Sequence, residues 1–187
     1  MAPDHEGERP DFDWVLPSLA IGGRLSPPGA EVLTARFGIR RVVDLRDEEE
    51  DDLELLTRHG VELLRLPTPD LQPVAQEMLR RGVRWVSEAL ARGDRVLIHC
   101  QHGIGRSALL ACCVLVGQGD TPAQALERAK RARAKVCPSP DQLHALLRWS
   151  ADWYRERRAA CPPVTWDDLA RIAYRDLLPS ARTEEDR

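Results

Sequence analysis

From residue 12 onward, apolar positions fall in short blocks separated by glycine, proline and charge, a rhythm that predicts strands alternating with helices. Trp14 to Ile21 holds two apolar runs around Pro17 and predicts a strand pair, followed by a turn at Gly22 and Gly23 and a helix opened by Pro28 that ends near Gly38. Ile39 to Leu45 predicts a strand, Glu48 to His59 a helix closed by Gly60, and Val61 to Leu66 a further strand stopped by Pro67. The proline-studded segment Pro67 to Pro73 is a loop leading into a helix over Val74 to Ala91 that ends at Gly93. Val96, Leu97 and Ile98 are three adjacent apolar residues between Arg95 and His99, which suits a central strand covered on both faces.

A glycine-containing turn and a helix over Arg106 to Gln118 follow that strand. Helices are then expected from Pro122 to about Lys135, from Pro140 to about Arg158, and from Thr165 to Leu177, where Thr165 and Asp168 form a capping box. Strands separated by helices require parallel crossovers, so the fold class is α/β, a small central mostly parallel sheet flanked by helices. The break at Cys161-Pro162-Pro163 divides the chain into a lead-in (1–11), one main domain (12–160) and a helical appendage (161–187).

Composition narrows the function classes. A 187-residue chain with 43% hydrophobic residues builds one core, and a formal charge of −3 gives no overall attraction to nucleic acid or anionic membrane. No apolar run reaches the roughly 20 residues of a membrane span and the start is polar, so the expected setting is cytoplasmic; a monomer is the expected state. Five cysteines without CxxC spacing read as free thiols in a reducing compartment, and one of them can be a nucleophile.

The run His99-Cys100-Gln101-His102-Gly103-Ile104-Gly105-Arg106-Ser107 places a thiol and a guanidinium six positions apart at a strand-to-helix junction. A loop folded around phosphate needs inward-facing backbone N–H groups, and Gly103 and Gly105 permit the dihedrals and close approach this demands. The helix that follows adds its positive N-terminal end, and the planar fork of Arg106 matches two phosphoryl oxygens. The same field stabilises a thiolate on Cys100, to which Ser107 can donate a hydrogen bond, while His99 braces the loop from behind. Gln101, His102, Gly103, Ile104, Gly105 and Arg106 then line the substrate, with Cys100 as nucleophile and no cofactor or metal required.

This segment matches the His-Cys, five residues, Arg, Ser or Thr signature, and the chain resembles the protein tyrosine and dual-specificity phosphatases. The likeness extends over roughly Phe12 to Arg158 and is nearest to small atypical VH1-like phosphatases of the member Z kind, through Phe12-Asp13-Trp14-Val15-Leu16-Pro17 and Gly38-Ile39-Arg40-Arg41-Val42-Val43. It implies a protein tyrosine phosphatase-like fold of dual-specificity size and a general-acid aspartate about thirty residues before the cysteine. Asp70 stands at that place, in the proline-rich loop, and would return as base in the second step. The resemblance also offers Gln142 as a residue supporting that step. A phosphorylated protein or a small phosphomonoester is the implied partner.

Competing readings stay open. Beside the leading phosphoprotein reading stands a rival in which the substrate is a phosphoinositide, a nucleotide or an RNA 5′ end, although the loop lacks the lysines that lipid-directed relatives use; a binding module without turnover is a third class. A metal site on His99, Cys100 and His102 lacks a further ligand, and neighbouring strand residues face opposite ways. Gly103-Ile104-Gly105 echoes a nucleotide-binding turn, but position 108 is alanine and no Walker lysine follows. Cys112 and Cys113 sit on an apolar helix and read as packing residues. Two charge runs, acidic over Asp44 to Glu54 and basic over Glu127 to Lys135, read as solvated helix faces.

Overall fold

The computed structural model describes residues 10–26 and 29–177. Residues 1–9 of the lead-in, the helix opening expected at Pro28 and residues 178–187 of the appendage lie outside the described residues. Strand β1 (Phe12–Leu16) and strand β2 (Leu19–Gly22) form the antiparallel pair expected around Pro17. Three further strands, β3 (Ile39–Arg46), β4 (Glu62–Thr68) and β5 (Arg95–His99), complete a five-stranded sheet of order β1-β2-β5-β3-β4. The pairs β2 with β5, β5 with β3, and β3 with β4 are all parallel. This is the mixed α/β sheet of helices and mainly parallel strands that the pattern predicts.

Strand alternation splits the core into two layers. On one face Ala20, Val42 and Leu97 pack with Leu33 of α1 (Gly29–Phe37) and Leu56 of α2 (Leu53–Arg58). On the other, Ile21, Val43, Leu45, Val96 and Ile98 meet the larger helical layer. That layer comprises α3 (Gln76–Ala91), α4 (Arg106–Gly117), α5 (Pro122–Ala132), α6 (Pro140–Glu156) and α7 (Trp166–Ala173). Helix α4 is apolar on every side and every residue from Arg106 to Val116 is buried, so it forms the centre of this layer with α3, α5 and α6 around it. Its N-terminus therefore meets the carboxyl end of the innermost strand, β5.

Several boundaries differ from the pattern, α3, α5 and α7 being shorter than expected, and two of the differences bear on the site. Strand β4 runs through Pro67 to Thr68 because it is an edge strand, where the missing proline N–H leaves no ladder bond unmade. Helix α2 begins at Leu53 and not at Glu48, with Asp52 as its cap accepting from Leu55 N at 2.8 Å. In the loop before it, Glu48 reaches Arg106, Glu49 and Asp51 reach Arg46, and Glu50 reaches Arg65. The capping box expected at Thr165 and Asp168 is present at the start of α7. No helix among the described residues is long and apolar enough to cross a membrane.

Candidate active site

Parallel pairing carries β5 and β3 to the same edge, and the chain leaving β5 turns through Cys100 to Gly105 into α4. Gly103 is held at φ 66°, and a Cβ there would lie 2.6 Å from the Gly22 carbonyl, so both conformation and space demand glycine. The loop is fixed from below by Cys100 N donating to Gly22 O at 3.3 Å and from the side by Arg24 N donating to Gln101 O at 3.1 Å. Arg133, at the end of α5, grips its outer carbonyls: Nε donates to Gly103 O at 2.9 Å and Nη2 to His102 O at 3.1 Å. Of the backbone N–H groups here, those of Gly103 and Ser107 point at the Cys100 sulfur. Asp11 and Asp13 balance the Arg133 charge, at 2.8 and 2.7 Å.

Cys100 Sγ lies 3.4 Å from Ser107 Oγ inside this loop. Burial of Cys100 opposes its ionisation, but the Ser107 hydroxyl, the N–H groups of Ser107 and Gly103 and the Arg106 charge outweigh it, and the thiol pKa falls below its ordinary value. Burial pushes Cys112 the other way, up to about 12, with Asp120 adding to the effect. The packing role read for Cys112 and Cys113 agrees with their burial in the core.

Arg106 is held by three acceptors. Nη1 and Nη2 each donate to a Glu48 carboxylate oxygen at 2.7 Å, Nη1 also donates to Thr68 O at 2.7 Å, and Asp70 Oδ1 lies 3.0 Å from Nη2. Nε is buried with no hydrogen-bond partner among the described residues. Glu48 therefore braces the guanidinium end-on, while the side formed by Nε and Nη2 faces only the exposed Asp70. The Arg106 hydrogen bond draws the Glu48 carboxyl down to about 2.

Behind the loop, His99 Nε2 sits 2.7 Å from Asp51 Oδ2 and 3.9 Å from Asp44 Oδ1. Burial would favour neutral imidazole, yet the Asp51 hydrogen bond and the two carboxylate charges prevail over it and over Arg46, raising the His99 pKa. Asp44, Asp51 and His99 could in principle chelate a cation, but the Arg46 guanidinium already lies against Asp44 at 3.0 Å and Asp51 at 2.5 Å. Gln142, buried at the start of α6, touches the loop from the far side: a Cβ on Gly105 would lie 2.4 Å from its Oε1.

The family model described as "Polymorphic toxin system, DSP-PTPase phosphatase" matches residues 28–120, a span that includes Asp70 and the whole Cys100 loop. Dual specificity protein phosphatase 22-B of Danio rerio is 27% identical over 92% of this chain and 93% of its own length. The chain belongs to the dual-specificity and protein tyrosine phosphatase family. Phosphatidylglycerophosphatase and protein-tyrosine phosphatase 1 of Mus musculus is 30% identical over 58% of this chain, a match spanning 60% of the relative's length. The crystal structure of Tk-PTP in its active form superposes with a TM-score of 0.69 at 26% identity, over 75% of this chain and 96% of that one. These relatives establish a cysteine-based phosphatase and a phosphatase fold, not the member Z subtype.

For this phosphatase, the structure gathers Cys100, Arg106, Ser107 and Asp70 at one sheet edge with His99 below and Gln142 beside them. Reasoning from sequence missed Glu48, Asp51 and Arg133, all three assigned to solvated charge runs. A signal was present: the acidic run begins inside a strand at Asp44, and a strand leading straight into carboxylates at the site edge implies a buried counter-cation.

Proposed function

We propose that this phosphatase hydrolyses phosphate monoesters on proteins through a cysteinyl-phosphate intermediate on Cys100. The observation that carries the reading is the pair formed by a Cys100 thiol of lowered pKa and an Arg106 guanidinium braced end-on by Glu48, with Nε unpartnered beside it. In the first step the Cys100 thiolate attacks phosphorus, and Nε and Nη2 of Arg106 take two equatorial oxygens, displacing Asp70 from Nη2. The bond from phosphorus to the leaving oxygen breaks, and the protonated Asp70 carboxyl gives its proton to that oxygen. In the second, a water loses its proton to the Asp70 carboxylate and attacks phosphorus, the sulfur-phosphorus bond breaks, and the thiolate returns to the Ser107 hydroxyl. Loop N–H groups from Gln101 to Arg106 hold the oxygens throughout.

Phosphotyrosine, phosphoserine or phosphothreonine is supported as substrate by the name of the zebrafish relative, which aligns with nearly the full chain. A second reading, a phospholipid monoester, is favoured by the name of the mouse relative. The deciding experiment is para-nitrophenyl phosphate turnover by wild type and Cys100→Ser, with rapid acid quench and mass analysis, followed by phosphopeptide and phosphatidylglycerophosphate panels. A phosphate adduct on Cys100, turnover abolished in the variant and preference for phosphopeptide support the proposal. Preference for the lipid moves it to the second reading, and absence of turnover on every substrate would overturn both and favour a phospho-ligand binding module.

A further inference from the structure

The acid loop and the phosphate loop are joined through the start of α6. Gln142 Oε1 accepts from Ser139 N at 2.9 Å, closing the helix cap, and Gln142 Nε2 donates to Gln72 O at 3.0 Å. Ser139 Oγ donates to Leu71 O at 2.9 Å and accepts from Gln142 N at 3.3 Å. Leu71 and Gln72 are the two residues directly after Asp70. Leu71 is held at φ 62°, in the left-handed region that leucine rarely adopts, and its side chain is 69% exposed. The turn closed by Gln72 N donating to Pro69 O at 3.2 Å contains this residue, and the carbonyl contacts to α6 anchor that turn. On its other side Gln142 packs against Gly105, the residue that opens α4.

We propose that Ser139 and Gln142 form a clasp that positions Asp70 over the phosphate loop before substrate arrives, an inference that rests on the reaction set out above. Asp70 Oδ1 already stands 3.0 Å from Arg106 Nη2, so the acid needs only the short displacement that an incoming phosphoryl oxygen imposes. Oε1 and one N–H of Gln142 are both committed to protein, which makes the carboxamide a brace. Its effect belongs to the first step, where Asp70 protonates the leaving oxygen, and not to hydrolysis of the intermediate.

Gln142→Glu separates clasp from cap, because a carboxylate still accepts from Ser139 N but has no N–H for Gln72 O. With phenyl phosphate, a poor leaving group, kcat/KM of Gln142→Glu and Gln142→Ala falls about tenfold, part of the ~10²–10⁴ that a positioned acid supplies. With para-nitrophenyl phosphate the loss is smaller. The basic limb of the pH profile flattens, no cysteinyl phosphate accumulates, and adding either change to Asp70→Asn costs nothing further. A burst with accumulating adduct would assign Gln142 to hydrolysis and overturn the clasp. Equal loss on both esters with the basic limb intact would overturn it too, leaving a merely structural residue. A wild type that turns over neither ester, or a Cys100→Ser that does, would refute the reaction itself and the clasp with it, whereas the preceding outcomes leave the reaction standing.

Discussion

Cys100 and Cys112 carry the same side chain in opposite electrostatic settings, and reactivity should follow the setting and not the exposure, since both are buried. Cys100 has four groups stabilising its thiolate, whereas Cys112 has only burial and a nearby carboxylate against it. Iodoacetate at about pH 6.5 is therefore expected to alkylate Cys100 and spare Cys112 and Cys113. Inorganic phosphate should protect Cys100, which peptide mass mapping reads directly; labelling of Cys112 at a comparable rate would contradict the assignment. Arg106→Lys keeps the charge but loses the fork, and should lower kcat about 10²–10³-fold, the range for removing an oxyanion donor. Glu48→Gln weakens the end-on brace and should raise the inhibition constant for phosphate while the thiolate limb of the pH profile stays in place. Cys100, Arg106 and Ser107 were legible in the sequence because a single loop contains them all. Glu48 and Arg133 were not, because their partners lie 58 and 30 positions away and only the fold brings them together.

The acidic segment 47–52 acts as one element: it carries Glu48 to Arg106, Glu49 and Asp51 to Arg46, and Asp51 to His99. Its pH dependence follows from two shifts of opposite kind. Glu48, lowered from 4.5 to about 2, contributes stability that is present above 4.5 and lost as pH falls toward 2. His99, raised above 6.5, contributes stability that is complete below 6.5 and lost as pH rises through its folded value, with Asp51 and Asp44 favouring its charge and Arg46 opposing it. Thermal melting should thus decline on the alkaline side of 6.5. Asp51→Asn should flatten that decline and cost about 3 kcal/mol, because it leaves Arg46 and His99 short of a buried partner. An alkaline slope unchanged in Asp51→Asn would show that His99 does not titrate through this pair. At this scale the sequence misled in an instructive way: glutamates and aspartates in a row resemble the polar face of a helix, and nothing local distinguishes a solvated run from one wrapped around buried cations. Strands were easier to recognise, since Val96 to Ile98 must be covered on both faces wherever the neighbours come from.

At the scale of the whole molecule, the order of β5 and β3 places the site, while the helical layer sets how firmly its parts are held. Helix α7 is part of that layer: Leu169 and Ala173 are buried, Trp166 stacks on His144 of α6 with ring centroids 5.8 Å apart, and Tyr174 Oη donates to Pro138 O at 2.8 Å. The Thr165 and Asp168 capping box announced a helix there, but not where it docks, because a cap marks a start and not a partner. The docking has a directional consequence. Pro138 is followed by Ser139, so α7 supports the start of α6, and through it the carbonyls of Leu71 and Gln72; the phosphate loop touches the same stretch at Ile104, whose carbonyl accepts from Cys137 N at 2.9 Å, while Cys100 itself stands at the junction of β5 and α4. Leu169→Ala should cost about 3 kcal/mol as a buried leucine truncation. In the molecules that remain folded, the basic limb of kcat/KM should weaken, while the acidic limb, which follows the Cys100 thiolate, keeps its midpoint. Urea melts and pH profiles of that variant measure both. If its melt matches wild type, α7 is a detachable tail; if both limbs move together, the helical layer transmits strain to the cysteine loop and the two halves of the site are not supported separately.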